Sequence, residues 1–556
     1  MDPVAGKAQR RPLEIWHAFS FAILGLYALF LLYPLFSVLK ESVVTADGKF
    51  SLQYFIKFFS EPYYFTTIRN SFKISLATTV FSVLLGVPLA YIYNFYHIRG
   101  RSVVQVLIIL SSISAPFVGA YAWILLLGRS GLITELFWDW FRIQLPTIYG
   151  FPGVVLVLSL QLYPLVFLIV SGALRNLDNS LLEAAQNMGC PGWARFFRVI
   201  LPLTMTSILA SSLLVFMRAM ADFGTPLLIG EGYRTFPVEI YKQYVGETSQ
   251  NHSFAAAIGV VAIAITAVVF WAQKFVANRF SFKMSALHSI ERRRAKLLPS
   301  ILMHLFTYLV VGTSILPQVY IVYSSFRRTN AFGNFIDGYW FGNYERAWRS
   351  VRTALPNTLI MGGSAIASVV ILSVLIAYLV VRRRSAVSSA IDTMSMLPYV
   401  IPGSVVGIAL VIAFSSGPLV LTGTMVIMVV AMCIRRIPYT IRSSVAILQQ
   451  IPLTTEEAAI SLGASKLETF VKITVPMMAN GVISGAILSW VTILTELSAS
   501  IMLYSARTQT LTLSIYVFVS RGTDGPATAV ATILILFTTL SLALFMKISR
   551  NRDLIL

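Results

Sequence analysis

Asp222 and Glu496 are the side chains whose setting points most directly to chemistry. Each lies toward the far end of a long apolar run, in Ala-Asp222-Phe-Gly-Thr and Thr-Glu496-Leu-Ser-Ala, and they stand 274 residues apart. An ionisable group inside such a run is costly to bury and is a functional candidate by default. Asp222 is twenty residues past Pro202, about 30 Å along a straight helix, which puts it near the outer end of a membrane path. Carboxylate oxygens suit a hard cation, so the pair reads as a gate or a cation entrance. A plainer reading stands beside it: Arg218 precedes Asp222 by four residues and can bridge to it on one helix face. That reading does not cover Glu496, because Thr492 occupies the position matching Arg218. Arg435 and Arg436 fall in another apolar run, a turn or two from its end, where snorkelling to the interface accounts for them. A path-lining role for one of them is the alternative.

Other chemistries are not supported. The chain has no glycine-rich phosphate loop ending in Gly-Lys-Ser or Gly-Lys-Thr, the signature of nucleotide hydrolysis. His17, His97, His252, His288 and His304 are scattered and form no metal-ligand spacing. Cys190 and Cys433 fall in a polar loop and an apolar run, so no disulfide is expected. No catalytic residues and no metal site are assigned.

Of the 556 residues, 57% are hydrophobic and 12% charged, far too little charge for a soluble surface. Apolar runs of about 20 residues span a bilayer as helices. Twelve are read, at roughly 15–39, 68–95, 103–127, 149–174, 200–229, 254–278, 298–325, 356–381, 388–414, 418–447, 474–503 and 527–549. The net charge of +20 does not mark a nucleic-acid binder, because the basic residues cluster beside span ends, as the positive-inside rule expects. Lys7, Arg10 and Arg11, the linker around 279–296, Arg382 to Arg384, and Lys547, Arg550 and Arg552 all fall on one side if twelve spans alternate, which makes both termini cytoplasmic. The basic loop at 326–355 is an exception. The segments 41–66 and 331–350 read as amphipathic interfacial helices.

The spans repeat. Asn70 and Asn357, and Ala90-Tyr91 and Ala377-Tyr378, share an offset of 287; by Pro164 and Pro438 it is 274. The expected fold is therefore all-α: a polytopic membrane protein of about twelve transmembrane helices in two repeated six-helix halves, 1–290 and 291–556. Each half carries one polar helical hairpin, at 180–202 and 454–476. Glu183-Ala-Ala and Glu457-Ala-Ala each lead after six residues to a glycine, Gly189 or Gly463, and after nineteen to Pro202 or Pro476. Ser180 with Glu183, and Thr454 with Glu457, fit a capping box. The glycines fit helix C-caps, and Pro191 and Ser465 fit the start of a second short helix.

These hairpins resemble the EAA loop of binding-protein-dependent ABC importer permeases, and through the repeat the resemblance covers most of the chain. Neither departure, Leu182 against Glu456 or Gly-Cys-Pro against Gly-Ala-Ser, touches the Glu, Ala, Ala or Gly. The resemblance implies a type I importer permease fold and no enzymatic activity. It implies two cytoplasmic ATPases that carry the ATP and Mg, with no cofactor in this chain, and a periplasmic binding protein, all at a bacterial inner membrane. Glu183, Ala184, Ala185, Met188 and Gly189, and Glu457, Ala458, Ala459, Leu462 and Gly463, would meet the ATPase grooves, the alanines with Met188 and Leu462 facing them. Arg218, Asp222 and Glu496 would belong to the path or gate. The fused layout and Asp222-Phe-Gly most resemble ferric-iron permeases. Similar fused permeases serve thiamine and aminoethylphosphonate, and the Asp/Glu-Phe-Gly pattern also occurs in oxyanion permeases. The competing class is a twelve-span secondary transporter.

Overall fold

A computed structural model describes residues 15–45, 47–113, 115–190, 192–246, 251–279, 292–330 and 333–548. Most of the basic linker, the 290/291 boundary, Pro191 and the terminal basic residues Lys7, Arg10, Arg11, Arg550 and Arg552 lie outside these. Among the described residues long helices dominate, with one two-stranded antiparallel hairpin, Arg327–Thr329 with Phe335–Tyr339. The strand Phe335–Tyr339 and the start of the Gly342–Arg382 helix occupy most of the described part of the stretch expected as an interfacial helix at 331–350.

Among the described residues, ten helices are long and apolar enough to cross a membrane, or eleven if one bent pair counts as a span. The expected count of twelve is thus not met on these grounds, for two reasons. The run at 388–414 is two helices, Ala386–Val400 and Gly403–Phe414, bent by 113°. The helix Met425–Gln450 is long enough but carries Arg435, Arg436 and Arg442. The run at 103–127 is also broken, into Arg101–Ile113 and Pro116–Leu127. The matched prolines Pro116 and Pro402 explain both breaks, since the residue before a proline is driven out of the helical region. Ala115 and Ile401 accordingly have ψ of 127° and 128°.

Proline also shapes three widened turns. The N–H groups of Tyr33, Leu201 and Val475 reach five residues back, to the carbonyls of Ala28, Phe196 and Phe470. The next residue in each case is a proline, Pro34, Pro202 or Pro476. Its ring lacks an N–H and crowds the carbonyl four residues back, so the turn ahead of it opens into a π-turn.

The halves share one packing plan. Pro62–Phe95 lies against Phe151–Arg175 and Leu201–Met220, and Gly342–Arg382 lies against Met425–Gln450 and Val475–Leu494. Small residues allow the close approach: a Cβ on Gly86 would sit 2.7 Å from Val166 Cβ, and one on Gly485 2.9 Å from Thr440 Cα. The flanking helices cross over. Ile15–Ser42 packs on Ala386–Val400 and Gly403–Phe414, while Leu297–Ser325 packs on Arg101–Ile113 and Pro116–Leu127. Trp16 lies 4.6 Å from Tyr378 and 5.3 Å from Phe470 between ring centroids.

The two polar hairpins close alike. Gly189 and Gly463 have φ of +79° and +97°. Cys190 and Ala464 donate to the carbonyls of Ala185 and Ala459, while Gly189 and Gly463 donate to Gln186 and Ile460, the paired bonds of a glycine-terminated helix. Their starts differ from expectation. The first helix is Asn179–Asn187, capped by Asp178, which accepts from Ser180 N–H; Glu183 instead accepts from Asn179 at 2.7 Å. The other is Leu453–Ser461, preceded by Pro452 with no side-chain cap. Neither Ser180 nor Thr454 caps, because each already lies inside its helix. Ser465 does cap the following short helix, with Glu468 completing a capping box.

The hairpins are anchored differently. Leu182 is buried in the first, and Gln186 accepts from Arg195 at 3.0 Å and Arg293 at 3.1 Å. In the second, the matching residue Glu456 is buried and accepts from Arg382 at 2.9 Å and Tyr378 at 3.2 Å. Removing one partner of a buried ion pair strands the other, at a cost of about 3–5 kcal/mol, whereas an apolar replacement of both can be neutral. Glu456→Ala should therefore lower the thermal unfolding midpoint of the purified protein. Arg382→Met with Glu456→Leu should restore most of the loss. Equal destabilisation by the single and double variants would contradict the anchoring role.

Candidate functional site

A cavity of about 410 Å³ lies where the two halves meet. It gathers Arg218, Asp222, Arg435, Arg436 and Glu496 with Gln161, Tyr399 and Tyr439. The path candidates Arg218, Asp222 and Glu496 thus line one space, although their partners differ from those expected.

Both carboxylates occupy helix breaks. The run at 200–229 stops at Met220 and resumes at Gly224, and the run at 474–503 stops at Leu494 and resumes at Ser500. Broken helices expose backbone groups to a cavity, and the carboxylates take them up. Asp222 Oδ2 accepts from Thr225 N–H at 2.9 Å, and Glu496 Oε1 from Ala499 N–H at 3.0 Å. The Arg218–Asp222 bridge offered as the plainer reading is not made. An i, i+4 pair needs a continuous helix, and this one ends before Asp222. Arg218 donates instead to Tyr439 Oη at 3.3 Å, its guanidinium 5.8 Å from that ring's centroid.

Arg435 and Arg436 do not snorkel. Arg436 stands fourteen residues before its helix ends at Gln450, about 21 Å at 1.5 Å per residue. Both arginines donate to Glu496, Arg435 to Oε1 and Arg436 to Oε2. Arg435 also donates to Ser498 Oγ at 2.7 Å, and Ser498 to Glu496 Oε1 at 3.0 Å. The Glu496 side chain is 2% exposed, so it is a buried anion neutralised by two cations and not an open metal ligand. Gly403 makes the room: a Cβ there would collide with Ser498 Oγ and Arg435 Nη1. In the first half Gln161 and Leu162 replace the arginines, which leaves Asp222 without such a clamp.

On the hairpins, Glu183, Ala184, Met188 and Gly189, and Glu457, Ala458, Leu462 and Gly463, are exposed. Met188 is 81% and Leu462 90% exposed, which is unusual for large apolar side chains. Ala185 and Ala459 are buried against the body of the protein, which corrects the expectation that they face outward. Helical spacing turns them to the same side as Leu182 and Glu456, three residues before them. Sequence reasoning missed Tyr439 and Gly403. The nearest signal was the helix-breaking Ile401-Pro402-Gly403 itself. Among the described residues no group of three or more His, Cys, Asp or Glu could hold a metal ion.

Comparison with known proteins agrees with this layout. Residues 82–282 and 369–552, together more than half the chain, match the family of binding-protein-dependent transport system inner membrane components. The chain is 28% identical over 527 residues to the ferric transport system permease protein FbpB of Actinobacillus pleuropneumoniae, covering 92% of this chain and 75% of the relative. It is 27% identical over 498 residues to the putative ferric transport system permease protein FbpB 1 of Haemophilus influenzae, covering 88% and 78%. A bacterial alginate ABC transporter chain aligns with 49% of this chain and 96% of its own, at 16% identity and a TM-score of 0.42. The secondary-transporter alternative falls with the family match. Permeases of this family carry no cofactor and are not themselves enzymes; ATP is bound by a partner ATPase, and a periplasmic binding protein is implied as the other partner. The chain belongs to the binding-protein-dependent ABC importer permeases, as a multi-pass inner-membrane subunit with two family domains fused in one polypeptide.

Proposed function

We propose that this chain forms the whole membrane path of an importer for ferric iron, with six-span halves 1–290 and 291–556 and both termini in the cytoplasm. Two copies of one ATPase dock at Glu183–Gly192 and Glu457–Ser465, and a periplasmic binding protein delivers the cargo to the opposite face. The observation that carries the docking reading is the pair of matched hairpins, each ending in a positive-φ glycine with an exposed large apolar residue just before it. Such a residue on a short helix suits a groove on a partner. The iron reading rests on the relatives named as ferric transport permeases.

Closure of the ATPases draws the hairpins together. Each hairpin runs through a π-turn into a helix that ends at a cavity carboxylate, so hairpin movement reaches the cavity through one rigid element per half.

The test is ATP-dependent uptake of radioactive ferric iron into proteoliposomes holding the permease, the ATPase and the binding protein encoded with it. Glu183→Lys with Glu457→Lys should abolish uptake and ATPase co-purification while leaving membrane insertion intact. Normal uptake by that double variant would sink the docking reading. Cross-linkers placed at Met188→Cys and Leu462→Cys should reach the same surface of the ATPase; labelling of two different surfaces would rule out pseudo-twofold docking.

A further inference from the structure

We propose that the central cavity receives its cargo as an anion, so that iron crosses only when wrapped in anionic oxygen ligands. This deepens the importer reading and rests on it for the identity of the cargo, though not for the charge preference. Three guanidinium groups, Arg218, Arg435 and Arg436, line the cavity against two carboxylates, Asp222 and Glu496. Glu496 has little left to offer a cation. Its Oε1 accepts from Arg435, Ser498 and Ala499, and its Oε2 from Arg436. Asp222 remains, with Oδ2 engaged by Thr225 N–H, and one carboxylate does not make a hard-cation site.

Donor capacity, by contrast, is in surplus. Arg218 meets Tyr439, donating to its hydroxyl at 3.3 Å with the guanidinium 5.8 Å from the ring centroid, and no carboxylate bridges to it among the described residues. The Nε–H of Arg436 also has no acceptor among them, but it is buried and turned away from the open space. Guanidinium groups present planar donor forks that match carboxylate and phosphate oxygens, and basic linings select anions in membrane pores. A bare trivalent cation entering this space would meet like charge. A carboxylate- or phosphate-bearing complex would meet Arg218 directly, with Arg435 and Arg436 adding positive charge to the same wall. The clamp on Glu496 then serves to hold two arginines in place within the bundle, where charges without partners are costly.

The test uses the full chain, purified in lipid nanodiscs, with three probes: ferric citrate, inorganic phosphate and terbium(III) as a bare hard cation. Ferric citrate and phosphate should bind in competition, and terbium should not displace them. Arg218→Gln should weaken both anions by about tenfold, and Arg218→Lys by much less. Gln161→Glu adds a carboxylate to the same cavity without touching Arg218, and should produce a similar loss even if Arg218→Gln does not fold. Binding of phosphate without ferric citrate would support the anionic cavity and remove iron from the proposed function. Terbium binding that is lost in Asp222→Asn, with neither anion bound, would overturn the proposal. So would binding of no probe, or anion binding unchanged in both Arg218→Gln and Gln161→Glu.

Discussion

The arrangement at the centre of the molecule depends on one carboxylate held between two guanidiniums. Glu496 is buried at the break of its helix, and Arg435 and Arg436 lie mid-way along the helix opposite. Charges at that depth persist only when paired and hydrogen-bonded. The pairing in turn dictates what surrounds it. Residue 403 must lack a side chain so that Arg435 and Ser498 fit, and the chain must turn sharply at Pro402 to bring that glycine to the arginines. The first half, with Gln161 and Leu162 at these places, needs no such clearance, and Phe117 packs against Gly224 instead, 3.2 Å from where a Cβ would lie. Two halves of one repeat thus build unlike walls of a single cavity, joined by Arg218 reaching across to Tyr439.

The polar hairpins connect to this centre by short, stiff routes. Tyr91 packs on Phe196 at 4.8 Å and Tyr378 on Phe470 at 4.7 Å, both rings lying on the π-turns that lead out of the hairpins. The anchors beneath are unequal: buried Leu182 and a Gln186 that accepts from Arg293 on one side, a buried Glu456–Arg382 ion pair on the other. Arg293 also pairs with the backbone of Phe95 and His97, so the first hairpin is tied to the segment joining the two halves. The second is tied to its own half.

What the sequence disclosed was local or periodic. The repeat offset placed Asp222 and Glu496 at equivalent positions, though the helix breaks there were not legible, and the glycine spacing placed Gly189 and Gly463 at positive φ. The cap at Ser465 could also be read, because a capping box spans only four residues. What escaped was set by neighbours or by distant partners. Ser180 lost its capping role to Asp178, two residues earlier. Arg218 and Asp222 have the right spacing for a pair, but the helix between them stops at Met220. Arg435 and Arg436 looked like interface residues because their partner stands 60 and 61 residues away. The breaks at Pro116 and Pro402 look, by hydropathy alone, like continuous spans, since apolarity does not register a bend.

The proposed function requires that hairpin movement driven by the ATPases open this cavity to one side of the membrane at a time. A single cysteine at Thr492 or Thr495, both on its wall, tests it in a background of Cys190→Ser and Cys433→Ser. The assembled transporter is treated with a membrane-impermeant thiol reagent from either face, with and without an ATP analogue that locks the ATPases closed. The account predicts labelling from the cytoplasmic face alone without nucleotide and from the periplasmic face alone with it. Labelling from the same face in both states, or from both faces at once, would contradict it.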